Sequence, residues 1–140
     1  MKSVKTLAAA LLGASVLLSS AVMAENHVIT TKGATFSPLV VKVAPGDTVS
    51  WENMNTHITE TITEYLPAGA EGWISGMGES FTTPPLTVEG AYIYKCTPHW
   101  GMAMGGVIIV GTPTNLDDIK AKKPKGAAKR LYKKAVKAAK

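Results

Sequence analysis

Short apolar segments separated by glycine- and proline-containing turns fill residues 26–110, and this pattern constrains the fold more than any other feature of the chain. Residues 39–43 are rich in valine and end at a Pro-Gly-Asp turn at 45–47. Residues 91–96 are rich in aromatic side chains, and residues 106–111 form an aliphatic run bounded by glycines. Many short strands at close spacing predict an all-β sandwich or barrel.

The C-terminal part of the chain changes from strand to helix periodicity. Residues 113–121 predict one short helix, which Pro124 would end. Basic residues then lie largely on one face of a second predicted helix. Apolar residues recur at helical spacing on the other face: Ala128, Leu131, Tyr132, Ala135, Val136 and Ala139. We therefore expect residues 113–140 to form a helical extension that packs on the same domain as the strands.

The first 24 residues have the pattern of a secretory signal peptide. Two lysines precede a short apolar run, which ends in small residues at Ala24. Cleavage after Ala24 would leave 116 of the 140 residues, enough for a sandwich at residues 25–112 and its helical extension. A retained anchor is the alternative, but no second apolar span follows. We expect a periplasmic protein with no membrane anchor after cleavage.

Charge is distributed unevenly along the chain. Residues 25–119 carry three lysines and ten acidic residues, whereas residues 120–140 carry nine lysines, one arginine and no acidic residue. The basic helix is either a solvated face, a docking surface for an acidic partner, or a contact for membrane or nucleic acid. Export and the scarcity of interleaved aromatic residues lead us to expect no nucleic-acid partner.

Most of the side chains that could bind a metal ion lie in one predicted loop. Cys96 is followed by His99, Met102 and Met104, and His57 lies 39 residues upstream of Cys96. A lone cysteine in an exported domain has no internal disulfide partner, so it is buried, paired with another chain, or bound to a ligand. Two histidines, one cysteine and a weakly bound methionine form the ligand set of blue-copper electron-transfer sites, whereas structural zinc sites use paired cysteines.

Two of these assignments have simpler alternatives. Cys96 would otherwise be a buried inert thiol, which is common for free cysteine. His57 would otherwise be an ordinary surface histidine, although His27 near the fraying N-terminus is the only other histidine available.

The Cys-x-x-His-x-x-x-x-Met spacing of Cys96, His99 and Met104, with His57 upstream, resembles that of the cupredoxins. The wider sequence resembles the pseudoazurins within that family. The matching stretches are APGDTV at 44–49, PAGAE at 67–71, GAY at 90–92, KCTPH at 95–99, NLDDI at 115–119 and AKKPK at 121–125.

This resemblance implies a cupredoxin-like, eight-stranded Greek-key β-sandwich with two C-terminal α-helices and one type 1 copper ion per chain. His57, Cys96 and His99 would be equatorial ligands and Met104 the axial ligand, whereas the shorter spacing of the related amicyanins would select Met102. It also implies a monomeric electron carrier, not an enzyme, whose partners are a copper nitrite reductase, cytochrome c or cytochrome cd1. A periplasmic copper chaperone or storage protein is the alternative. A multicopper enzyme would need more histidines than the three present.

Two features depart from the family pattern. Ile58 occupies the position of an asparagine that ties the two ligand loops together, so Thr97 loses its partner unless Asn55 or Thr59 substitutes. Lysines expected around the exposed ligand edge are also few between residues 25 and 119: Lys32, Lys42 and Lys95. The second departure leaves open whether the basic C-terminal helix contributes to docking.

Overall fold

In the computed structural model, which describes residues 22–140, the chain forms eight strands in two four-stranded sheets, followed by two helices. The strands are β1 (Asn26–Thr31), β2 (Phe36–Ser37), β3 (Val40–Val43), β4 (Thr48–Glu52), β5 (Glu60–Thr61), β6 (Phe81–Thr82), β7 (Gly90–Lys95) and β8 (Gly105–Val110). The helices are α1 (Leu116–Ala121) and α2 (Gly126–Ala138). The predicted all-β sandwich with two C-terminal helices is confirmed.

The predicted signal peptide at residues 1–24 lies outside the described residues except for its last three. Residues 22–24 are exposed and have no regular secondary structure. Within residues 22–140, no helix combines the length and the hydrophobicity needed to cross a membrane.

The first sheet has the strand order β2-β1-β4-β6 and the second has the order β3-β8-β7-β5. Parallel pairing joins β1 to β4 and β3 to β8, so each sheet contains strands that are distant along the chain. The β7–β8 pair is antiparallel over six residues, and the loop between these two strands is the one that carries Cys96 and His99.

Strands β7 and β8 are buried on both faces, which explains their uninterrupted apolar sequences. Successive side chains of a strand point to opposite faces of the sheet. Accordingly, Tyr92 and Tyr94 belong to the core between the two sheets, whereas Ala91 and Ile93 belong to a second core beneath the helices. The inner core is rich in aromatic rings, with Trp51 packed edge-on against Tyr94 at a centroid distance of 5.2 Å.

Helix α2 covers the outer face of the second sheet with its apolar side. Ala128, Leu131 and Ala135 are buried in the second core, together with residues of β7 and β8. The lysines of α2 are exposed: Lys129, Lys133, Lys134 and Lys137. The helix therefore packs on the sandwich as the apolar periodicity predicts, and its basic face is open to solvent.

Candidate metal centre

The loop between β7 and β8 is a short 3₁₀ helix (Thr97–Met102) enclosed by backbone hydrogen bonds. The Cys96 amide donates to the Met104 carbonyl at 2.9 Å, and the His99 amide donates to the Cys96 carbonyl at 3.0 Å. Ala103 takes the left-handed conformation, with a φ of 61°, where the loop turns back toward β8. Because the strands on both sides are central in the sheet, the loop begins and ends on rigid elements.

His57 reaches the same end of the sandwich from the segment that follows β4. Asn53 and Asn55 in this segment have positive φ values of 55° and 29°. The Gly78 amide donates to the His57 carbonyl at 3.0 Å. A Cβ on Gly78 would lie 2.2 Å from the Asn55 carbonyl oxygen, so this close approach requires glycine. The backbone of His57 is thereby fixed, and the residue is only 8% exposed.

Three donor atoms converge at this end of the sandwich. His57 Nδ1 and His99 Nδ1 are 3.1 Å apart, and Cys96 Sγ lies 3.4 Å from His99 Nδ1 and 3.8 Å from His57 Nδ1. A triangle with these edges has a common point about 2 Å from each corner, which is the length of a bond from a metal ion to an imidazole nitrogen. The donors therefore fit one metal ion, and one soft thiolate with two imidazoles is a set that suits copper.

The surroundings keep this donor set ready to bind a metal ion. Cys96 is fully buried and forms no disulfide. Burial, and secondly the nearby charge of His99, lower the pKa of His57 below its usual 6.5. A metal ligand must be deprotonated, so this shift keeps the His57 imidazole available at a lower pH than an exposed histidine would be. His27, the remaining histidine, instead pairs with Asp47 through its Nε2 at 2.9 Å.

The two candidate thioether ligands differ in burial. Met104 is 1% exposed and belongs to the same buried cluster as Cys96, whereas Met102 is 66% exposed. The Met104 amide also donates to the His99 carbonyl at 3.2 Å, which ties its backbone to that of a predicted ligand. Burial beside Cys96 favours Met104 as the fourth ligand, in agreement with the spacing of the pseudoazurins.

Glu60 is the residue that contacts Thr97. The Thr97 hydroxyl donates to the Glu60 carboxylate, so its partner is neither Asn55 nor Thr59, the two alternatives that the sequence left open. Thr59 is fully buried, and its hydroxyl accepts a hydrogen bond from the Trp73 indole at 3.0 Å. Glu60 lies on β5 directly opposite Lys95 of β7, a register that the sequence alone does not disclose.

Helix α2 and its connector also reach the metal-binding loop. The Arg130 guanidinium donates to the Ala103 carbonyl at 2.7 Å, at the turn that leads to Met104. Beside it, Lys95 and Trp100 line a surface cleft of about 650 Å³ together with residues of the α1–α2 connector. Three lysines of this connector line the cleft: Lys122, Lys123 and Lys125. The basic C-terminal region therefore adjoins the loop that carries His99.

The side chains around His99 are largely apolar and open to solvent. His99 is half-buried, and the loop residues Pro98, Gly101 and Met102 are exposed. Trp100 is half-buried against the second core. This exposed apolar surface surrounds His99, which is the most exposed of the predicted ligands.

Comparison with known proteins also indicates copper binding. The model of a family described as copper binding proteins, plastocyanin/azurin family, matches residues 22–111. The pseudoazurin of Paracoccus pantotrophus is 43% identical over 99 residues, which cover 69% of this chain and 68% of that protein. The crystal structure of native pseudoazurin from Hyphomicrobium denitrificans superimposes with a TM-score of 0.66 at 34% identity, over 76% of this chain and 91% of that one. The pseudoazurin of Methylobacterium extorquens AM1 gives a TM-score of 0.67 at 27% identity, over 76% and 93%.

Proposed function

The chain belongs to the plastocyanin/azurin family of copper-binding proteins, and from that membership we propose that it is a periplasmic type 1 blue-copper electron carrier of the pseudoazurin kind. The observation that carries this proposal is the convergence of three donor atoms, from two segments far apart in the sequence, within 4.8 Å of one another.

His57, Cys96 and His99 would hold the copper ion, with Met104 as a fourth and weaker ligand. Copper supplies the chemistry of a carrier because it alternates between two oxidation states that differ by one electron. The chain contributes a set of donors whose backbones are fixed by strands and hydrogen bonds. Burial of Cys96 keeps water away from the sulfur. Donors held in this way would move little when an electron arrives or leaves.

The exposed apolar surface around His99 supports transfer to another protein. His99 is the most exposed of the predicted ligands, so its ring offers a path from the donor set to the surface. A partner that covers Pro98, Gly101 and Met102 would exclude water from this path. We propose a carrier and not an enzyme, because His27 is paired with Asp47 and the two remaining histidines suffice for one copper ion.

The cleft beside Trp100 supports an acidic partner. Four lysines and one carboxylate, Glu64, line this cleft. Lys95 of β7 lies 3.9 Å from Glu60, so the three lysines of the α1–α2 connector supply the net positive charge next to the metal-binding loop. Opposite charges on two partners raise the rate of their association, an effect that salt weakens. Copper nitrite reductase, cytochrome c and cytochrome cd1 are the partners we propose to test, with this chain acting as a monomer.

Repeated redox cycling of the copper-loaded protein separates an electron carrier from a copper chaperone. We expect one reversible one-electron wave in voltammetry and full recovery of the blue absorbance after each cycle of reduction and oxidation. We also expect the reduced protein to keep its copper in the presence of a copper(I) chelator. His57→Ala serves as the control, because removing one of the three converging donors should make the copper easier to extract.

Transfer of copper(I) to the chelator after the first reduction would contradict the carrier proposal and would support the chaperone. Turnover of nitrite or dioxygen by the purified protein alone would contradict it in favour of an enzyme.

A further inference from the structure

Asp47 is a buried carboxylate in the turn between β3 and β4. It precedes β4, whereas the predicted ligand His57 follows that strand, so Asp47 lies at the end of the sandwich opposite the metal-binding loop. It is 5% exposed, and its two oxygens receive three hydrogen bonds. Oδ1 accepts the Glu25 amide at 2.9 Å, while Oδ2 accepts the Ala44 amide at 2.9 Å and contacts His27 Nε2 at 2.9 Å. These partners, the Glu25 amide first among them, hold the pKa of Asp47 at about 2.

The Glu25 nitrogen is held against this carboxylate by the sheet itself. The Thr48 amide donates to the Glu25 carbonyl at 2.9 Å, and the parallel β1–β4 ladder continues from the pair formed by Asn26 and Thr48. Before Glu25, residues 22–24 are exposed and outside regular structure. The nitrogen at Asp47 is therefore the first backbone nitrogen of the folded domain.

That nitrogen belongs to the residue after Ala24, where the sequence pattern predicts signal peptidase cleavage. We propose that Asp47 is the binding site for the mature amino terminus, and that removal of the signal peptide creates an ion pair between the Glu25 ammonium group and the Asp47 carboxylate. The proposal rests on the export to the periplasm that forms part of the proposed function, and on the cleavage site predicted from the sequence, but not on the copper site.

Cleavage changes the chemistry of this contact without moving the chain. In the precursor, Glu25 offers Asp47 one neutral amide hydrogen. After cleavage the same nitrogen carries three hydrogens and a positive charge, so its hydrogen bond to the ionised carboxylate gains the attraction between two opposite charges. The export step that releases the domain therefore also strengthens the attachment of β1 to β4.

The test compares two exported proteins that differ only in their first residue. One is produced from the native precursor. The other is produced from a precursor with one alanine inserted between Ala24 and Glu25, so that cleavage after Ala24 leaves the Glu25 nitrogen as an amide. Intact mass identifies each amino terminus, and each protein is made with and without the Asp47→Asn substitution.

Urea unfolding at pH 7 measures the effect. We expect the equilibrium constant for folding to be about tenfold larger for the native terminus than for the inserted one, which corresponds to a rise of about one unit in the pKa of the Glu25 amino group on folding. In the Asp47→Asn background this ratio should fall to within about twofold of one. His27→Gln, which removes the other side-chain contact of Asp47, should preserve the ratio. Equal folding constants for the two termini with Asp47 present would overturn the proposal.

The pKa of the Glu25 amino group is a second readout, which needs no Asp47 variant. An ordinary α-amino group has a pKa of about 7.7–8.0. Pairing with Asp47 should raise this pKa in the folded mature chain, as nuclear magnetic resonance would report. The stabilisation is then fully present below about pH 7.7 and fades as the pH rises through the higher folded pKa.

An amino-group pKa in the ordinary range would overturn the proposal, as would a native terminus other than Glu25. The blue absorbance of the copper-loaded proteins should be the same for both termini. A failure of the copper-carrier proposal would therefore be visible in the spectrum, separately from any failure of the amino-terminal site.

Discussion

Leu131→Ala tests whether helix α2 is part of the same cooperative unit as the sandwich. Leu131 is fully buried beneath the sheet. A Cβ on Gly105 would lie 2.9 Å from Leu131 Cδ1, so the leucine fills space that Gly105 leaves free at the start of β8. Gly105 directly follows Met104, so this contact places the buried side of α2 next to the metal-binding loop.

The expected cost follows from this burial. Replacing a fully buried leucine by alanine removes about 2.7–5.0 kcal/mol from the free energy of unfolding, and we expect about 3 kcal/mol here. Typical domains have a total of about 5–15 kcal/mol. At about 4 °C per kcal/mol for a domain of this size, Tm should fall by roughly 12 °C. The folded protein should still turn blue with copper, because Leu131 is not a predicted ligand.

Urea unfolding followed by two probes provides the measurement. In a Trp100→Phe background, tryptophan fluorescence reports the inner core through Trp51 and Trp73, while far-ultraviolet circular dichroism reports the helices as well. We expect the two transitions to coincide and to shift together in Leu131→Ala. Lys133→Ala, an exposed change on the same helix, should alter the free energy of unfolding by less than about 0.5 kcal/mol. A loss below about 1 kcal/mol in Leu131→Ala, or a separate helix transition, would refute the reasoning.

Three further predictions concern the metal centre and its surroundings. Met104→Leu should keep copper but raise the reduction potential, whereas the exposed Met102→Leu should leave potential and spectrum unchanged; the reverse result would reassign the fourth ligand. Glu60→Ala should lower the free energy of unfolding by about 1 kcal/mol because Thr97 loses its acceptor, while Glu60→Gln should retain most of it, as urea titration would report. Charge reversal in the α1–α2 connector should slow electron transfer to an acidic partner and flatten its salt dependence in stopped-flow kinetics. The reversed residues are Lys122, Lys123 and Lys125. The control is a matched triple charge reversal on the exposed face of α2, at Lys133, Lys134 and Lys137. Equal slowing in this control would assign the effect to the net charge of the protein.

The parts of the fold that the sequence predicted are those with a pattern of their own. The apolar runs of β7 and β8 are long enough to be recognised as buried strands, and α2 is long enough to show a helical period. The two-residue strands β2, β5 and β6 have none, because their pairing depends on neighbours that are distant along the chain. Helix α1 begins at Leu116 and not at Pro113, since Asn115 just before it turns its side chain to the backbone of Tyr65 and Ala91.

The residues of the candidate site also divide into those that the sequence predicted and those whose contacts depend on the fold. Cys96, His99 and Met104 lie in one loop, so their spacing carried the prediction. That His57 comes within 3.8 Å of Cys96 Sγ depends on how β4 and β7 are placed in facing sheets. Glu60 was missed because its contact with Thr97 results from the β5–β7 register. Geometry brings His57, Cys96 and His99 together, and their role as copper ligands stays a prediction.

The visible absorption spectrum of the copper-loaded protein tests that role most directly. We predict one copper ion per chain and an intense blue band from charge transfer between the Cys96 sulfur and copper(II). The band should be lost in Cys96→Ala and kept in His27→Gln, whose histidine is paired with Asp47 and lies outside the donor set. A colourless copper-loaded protein, or a Cys96→Ala variant as blue as the parent, would contradict the central claim.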